Sequence, residues 1–222
     1  SHVSLLDDNA LRALCPEGES PRACFAETVA LPAFGEGITV ESRKTAQTLR
    51  SAGVALVDAR SVTVCARRMN VAREAGRSRF DLDLDAMLDL VVALRARAGE
   101  ELRAVCGKVG GRKAYAAAMT RVHPLPETVE ETPARSAYRL RGVGEVAFVR
   151  DADASDPAVA LASLVGKYLR ELTMERIYRY YAKAQPGLTR ASGYHDPVTA
   201  RFVEATRLVR GERAIGDDCF ER

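Results

Sequence analysis

The stretch SAYRLRGVGEVAFVRDADASDPAVALASLVGKYLREL, residues 136–172, decides the fold. Its first half alternates apolar and polar residues on either side of Gly142-Val143-Gly144, which predicts two strands joined in a hairpin. Its second half changes period. Asp156 stands where a helix N-cap belongs and Pro157 falls in the first helical turn. From there a helix is predicted to about Gln185, ended by Pro186-Gly187. Leu161, Val165, Tyr168, Leu169, Leu172 and Ile177 form its apolar stripe. Asp151, Asp153 and Asp156 crowd the connection between hairpin and helix.

Working outward, LDLDAMLDLVVALRARA (82–98) repeats Leu84, Met87, Leu88, Val91 and Leu94 at helical spacing. ELRAVC (101–106) reads as a buried strand, GKVGG (107–111) as a glycine turn, and RKAYAAAMTRV (112–122) as a helix stopped by His123-Pro124. Residues 124–134, rich in proline and glutamate, read as a surface loop. VALVDARSVTV (54–64) is β-branched enough for a strand, and CARRMNVAREAG (65–76) suits a helix. ESRKTAQTLRSAG (41–53) reads as a basic loop entering a short helix that Gly53 ends. Nearer the start, 4–14 predicts a short helix capped by Ser4 and stopped by Pro16, and 23–37 an extended segment. GLTRASGYHD (187–196) is a loop before a last helix, PVTARFVEATRLV (197–209). Strands alternating with helices, plus one hairpin, indicate an α/β fold in one domain: a mixed central sheet flanked by helices. The strand near 101–106 is expected in that sheet, with the helix 157–185 across one face.

Composition narrows the function classes. Hydrophobic residues make up 47% and charged residues 28% of the 222, which is ordinary for a globular chain and unlike a disordered one. Cysteines at 15, 24, 65, 106 and 219 are odd in number and scattered, with no CxxC pair, which argues against a disulfide framework and a zinc site and for a reducing cytoplasm. No apolar run is long enough for a membrane span, and the start lacks the pattern of a signal peptide. A net charge of +3 is too small to announce nucleic acid by itself.

Asp156 is accounted for as a cap, and Asp151 can simply end a strand in solvent. Asp153 has no such structural role, and carboxylates converging at a strand end are what Mg²⁺ or Mn²⁺ requires of hard oxygen ligands. Lys167, Arg170, Arg176, Arg179 and Lys183 form a basic face on the helix behind it, while Ala158, Ala160, Ala162, Ser163 and Gly166 allow close approach to its first turns. GKVGGRK (107–113) has phosphate-friendly amides but neither P-loop nor dinucleotide spacing. No GxSxG is present, and His2, His123 and His195 form no hydrolase motif.

DASDPAVALASLVGKYLREL (153–172) resembles a segment of the type 2 ribonuclease H (RNase HII) family, in which an aspartate precedes a helix of the form A-S-(I/L)-x-(A/G)-K-x-x-R-(D/E). The resemblance puts Asp153 on the metal-binding aspartate, Ala162, Ser163, Gly166 and Lys167 on the helix signature, and Arg170-Glu171 on its R-D pair. PGLTRASGYHD resembles the P-G…G-Y-G-T loop, which makes Tyr194 the tyrosine that stacks at an RNA–DNA junction. ESRKT resembles D-S-K-K, placing Ser42 and Lys44 near a phosphate backbone, and 106–115 is similar to the C-D-K-x-G-G-R-x-x-Y of a divergent branch. The resemblance covers about 40–206, flanked by a divergent segment 1–40, with 188–222 forming the C-terminal loop, helix and tail. It implies a single ribonuclease H-like domain.

Two departures stand out. Cys106-Gly107 occupy the place of a second carboxylate, and nothing matches the D-E-A-G-(R/Y)-G strand, Asp7-Asp8 lying in a predicted helix without its glycines. The resemblance therefore implies one of two things. The first is a metal-dependent endonuclease that hydrolyses RNA in RNA–DNA hybrids, using Mg²⁺ or Mn²⁺, with Asp153 as metal ligand and Asp151 or another carboxylate completing the site. The second is a nucleic-acid-binding or interaction module that keeps the fold without the ligands. A partner-binding protein using neither metal nor nucleic acid is the third reading. Ser42, Lys44, Lys167, Arg170 and Tyr194 are the nucleic-acid-binding candidates.

Overall fold

The computed structural model describes residues 24, 26–30, 33, 38–98 and 102–221. The helix expected over 4–14 lies outside them, as does much of the extended segment over 23–37. The chain divides into two compact units, one of Arg60–Tyr168 with Glu221–Arg222 and one of Ser1–Ala59 with Leu169–Phe220.

The first unit holds a mixed four-stranded sheet with flanking helices, an α/β arrangement. Strands β1 (Leu102–Gly107), β2 (Glu127–Glu131), β3 (Arg135–Leu140) and β4 (Gly144–Val149) lie in the order β1-β4-β3-β2. The predicted hairpin is β3 and β4, antiparallel from Arg135↔Val149 to Leu140↔Gly144. β1 runs parallel to β4, from Leu102↔Gly144 to Gly107↔Val149. β1 therefore belongs to the sheet, but at its edge.

The sheet's core forms against α3 (Arg79–Ala98). Leu84, Leu88 and Val91 repeat at helical spacing and are buried in one cluster with Tyr138, Leu140, Val146 and Phe148. α2 (Ala66–Glu74) packs on α3, and its buried Asn70 donates from Nδ2 to the Glu221 carbonyl at 2.7 Å. The expectation that helix 157–185 crosses a sheet face is corrected. That helix is α6 (Pro157–Ala182), and within this unit none of its side chains is buried. Half of residues 157–166 are alanine, serine or glycine, and Leu161 and Leu164 are exposed.

Three further expectations are corrected. Residues 54–64 form no strand, although their β-branched content suits one: a strand needs a partner ladder, and among the described residues none pairs with them. The helix expected over 112–122 shrinks to the single turn α4 (Ala116–Met119). Tyr115 is instead tied to the sheet, its N–H donating to the Tyr138 hydroxyl at 2.7 Å and its own hydroxyl accepting from Val109 N–H at 3.0 Å. The loop at 124–134 contains β2, an exposed edge strand paired antiparallel with β3 through Thr128 and Glu130, with Val129 bulged out between them.

The second unit gathers α1 (Ile38–Ser51), the part of α6 from Leu169, α7 (Pro197–Ala205), α8 (Arg207–Glu212) and a 3₁₀ turn at Asp217–Cys219. α1 starts at Ile38, so Ser42 and Lys44 sit on a helix rather than in a basic loop. The buried residues of α6 lie here: Leu169, Leu172, Glu175, Arg176 and Tyr181. Tyr181, Leu188, Phe202 and Ile215 form the core, Tyr181 meeting Phe202 and Phe220 edge to face at 6.0 and 5.5 Å. The helix expected over 197–209 divides at Thr206, whose hydroxyl donates to the carbonyls of Phe202 and Val203. Buried Arg210 secures the joint through Val203 O, Thr206 Oγ1 and Asp217 Oδ1. Among the described residues, no helix is long and apolar enough to cross a membrane.

Candidate nucleic-acid interface

In the sheet unit the parallel strands β1 and β4 end side by side, and Lys108 N–H crosses to Val149 O at 3.0 Å. The chain leaves β4 through Arg150 into Asp151, whose φ of 51° turns the backbone sharply. The one-turn helix α5 (Ala152–Ser155) that follows lies against β1. Asp156 then caps α6, its Oδ1 accepting from Ala158 N–H at 2.9 Å and Val159 N–H at 3.2 Å. This is the cap role read from the sequence.

Asp151 and Asp153 are exposed. Asp151 lies 3.8 Å from Arg150 Nε, with its side chain 83% accessible, so that pair contributes little. Among the described residues, the Asp153 side chain makes no hydrogen bond or ion pair. Near the end of β1, Cys106 is half-buried, and burial pushes its thiol up to about 11, which keeps it protonated at neutral pH and a poor ligand. Among the described residues, no three His, Cys, Asp or Glu gather to hold a metal ion. Without such a group the described residues do not fit the two-metal chemistry that Mg²⁺ or Mn²⁺ would bring. Asp7-Asp8 lie outside the described residues.

The glycine turn after β1 is held by Lys108. Its ammonium donates to Thr132 O at 2.8 Å, Ser136 Oγ at 2.8 Å and Arg112 O at 3.3 Å. All three protons are thereby used, so Lys108 is a strut and not a phosphate contact. Arg112, Lys113 and Arg150 are left exposed on this side of the sheet.

In the second unit, Arg170 and Tyr194 come together. The guanidinium carbon of Arg170 lies 3.8 Å from the ring centroid of Tyr194, which is 61% exposed. Arg170 also donates to the Ser192 carbonyl and, at 2.6 Å, to Glu171 Oε1. Much of its charge is thus committed to holding the ring. The loop beneath is a closed network. Asp196 Oδ1 accepts from Thr199 N–H at 2.7 Å and caps α7, while its Oδ2 accepts from the Ser192 hydroxyl. Ser192 Oγ accepts from Tyr194 N–H at 3.0 Å, and Thr199 Oγ1 from Gly193 N–H at 3.1 Å. Sequence reading passed over Asp196, although Asp196-Pro197 repeats the cap signal of Asp156-Pro157.

The Ser192 hydroxyl, and then the Thr199 amide, hold the Asp196 carboxyl below its ordinary value of 3.8. A depressed carboxyl contributes its stability fully above the ordinary value and loses it as pH falls through the lower folded one. Acidification below about 3.8 should therefore loosen this loop. Amide hydrogen-exchange protection of Gly193 and Tyr194, corrected for intrinsic rates, is expected to drop between pH 6 and pH 3, and Asp196→Asn should show the same loss at pH 7. Equal protection at both pH values would contradict this.

Ser42 and Lys44 are exposed on α1, and Lys167 is exposed on the sheet-unit part of α6. Of the five nucleic-acid candidates, Arg170 and Tyr194 are in direct contact. Compared with family models, with curated proteins and with solved structures, the chain matches none.

Proposed function

We propose that the chain is a nucleic-acid-binding protein of ribonuclease HII-like design that engages RNA–DNA hybrids without cutting them. The observation that supports this reading is Tyr194: an exposed ring on a hydrogen-bonded loop, with one face covered by Arg170 and the other turned to solvent. Flat aromatic faces held in advance are what sugars and bases stack on in single strands and junctions. Each unit also exposes cations suited to phosphates, Lys44 in the unit of Tyr194 and Lys113, Arg150 and Lys167 in the sheet unit. Cleavage is no part of this reading because no three His, Cys, Asp or Glu gather at Asp153 among the described residues.

Fluorescence anisotropy with a labelled RNA–DNA hybrid tests the reading. Binding is expected at low salt and should weaken steeply as salt rises, because each neutralised phosphate releases counterions. Tyr194→Ala should cost about 1–3 kcal/mol with little change in salt slope. Lys167→Ala should flatten that slope by about one unit. Absence of binding at low salt overturns the proposal. Mg²⁺-dependent cleavage that disappears in Asp153→Asn would replace it with the endonuclease reading.

A further inference from the structure

The two edges of the sheet are protected unequally. β2 carries Glu127, Glu130 and Glu131 in five residues, the charged edge that discourages another strand from pairing. β1, with the sequence LRAVCG, carries only Arg103. Because Lys108 N–H points across to Val149 O, alternation turns the Cys106 and Ala104 amides toward β4 as well. The N–H and C=O groups of Arg103, Val105 and Gly107 therefore face the open side, and no strand among the described residues pairs with them.

The charges on this edge are self-complementary. Arg103, near the start of β1, is exposed, and among the described residues its side chain makes no ion pair or hydrogen bond. Asp153, on the turn of helix packed against β1, is exposed and equally unengaged. A strand laid antiparallel along β1 brings its first residues beside the last residues of β1. A second copy of the same chain would then set each Arg103 toward the Asp153 of the other copy, twice over, as a two-fold axis demands.

We propose that β1 is a self-pairing edge: two copies of the chain join antiparallel through β1, continuing one sheet across both, with two Arg103–Asp153 pairs at the ends of the contact. A heterologous peptide would satisfy the open amides, but it would need its own acid and base at matching ends. A second copy supplies both.

Analytical ultracentrifugation of the full chain, without nucleic acid, tests this over a range of protein concentrations. A concentration-dependent dimer is expected. Arg103→Asp alone and Asp153→Arg alone should each weaken it about tenfold or more, by putting like charges at both ends. The double exchange, Arg103→Asp with Asp153→Arg, should restore it. Val105→Pro removes a donor on the open side and leaves the β4 ladder intact, so it should keep the far-ultraviolet spectrum and abolish the dimer. A chain that stays monomeric throughout overturns the proposal, as does a dimer indifferent to the single charge changes or not restored by the double one. If Val105→Pro fails to fold, the charge exchange still decides.

Discussion

Gly144→Ala is expected to destabilise the sheet unit by about 2–4 kcal/mol, from backbone strain and overpacking together. Gly144 has a φ of +120°, a region that side chains of ordinary handedness rarely enter. A Cβ there would stand 1.9 Å from the Leu102 carbonyl oxygen and within 2.9 Å of that residue's carbonyl carbon and nitrogen. These atoms are backbone and cannot rotate aside. Gly144 is also fixed from both sides, paired with Leu102 in the parallel ladder and with Leu140 in the hairpin. Chemical denaturation should show a lower midpoint with an unchanged slope. Gly166 is the control. It lies in α6 with nothing within 4 Å of a built Cβ, so Gly166→Ala should be neutral or stabilise by about 0.5–1 kcal/mol. Equal effects at the two positions would show that β1 does not approach Gly144 as described.

What the sequence made legible here is what neighbouring residues decide. The β3–β4 hairpin follows from alternation around Gly142-Val143-Gly144, and the start of α6 from Asp156-Pro157. The face of α3 follows from Leu84, Leu88 and Val91. The misreadings share a cause, since each depended on a distant contact. Residues 54–64 have the composition of a strand, but a strand is made by the segment beside it. RKAYAAAMTRV has good helix formers, but Tyr115 gains more by closing hydrogen bonds with Val109 and Tyr138, and that holds 112–115 off the helix. The candidate site divides in the same way. Asp153 at a strand end was readable, and so was the missing second carboxylate, with Cys106-Gly107 in its place; that the turn 152–155 packs against β1 was not, because it is a contact between distant segments. Tyr194 is exposed on its loop, and its stacking on Arg170 depends on a loop network that no local pattern announces.

Phe148→Ala is expected to have the largest effect on the sheet unit, about 3–5 kcal/mol, the usual cost of removing a buried aromatic ring. Phe148 is fully buried and lies flat on Tyr115, with centroids 3.9 Å apart and planes 2° from parallel. Tyr115 is the clasp of the glycine turn after β1, through Val109 N–H on its hydroxyl and its own N–H on Tyr138. Emptying the Phe148 site should therefore do more than lower the midpoint. It should free the Tyr115 ring and with it the turn that carries Arg112 and Lys113. Tyr138→Phe attacks the same clasp from the other side, leaving the buried Tyr115 N–H without its acceptor at about 1–3 kcal/mol. Because both changes act through Tyr115, their costs should not add. A double-mutant cycle in urea should give a coupling of at least about 0.5 kcal/mol, the lower end for residues in contact. Hydrogen exchange should show lost protection at Val109 and Tyr115 in both single variants. Strict additivity, with protection at Val109 unchanged, would mean that Tyr115 is merely packed beside the turn and does not hold it, and the placement of Arg112 and Lys113 would need another cause.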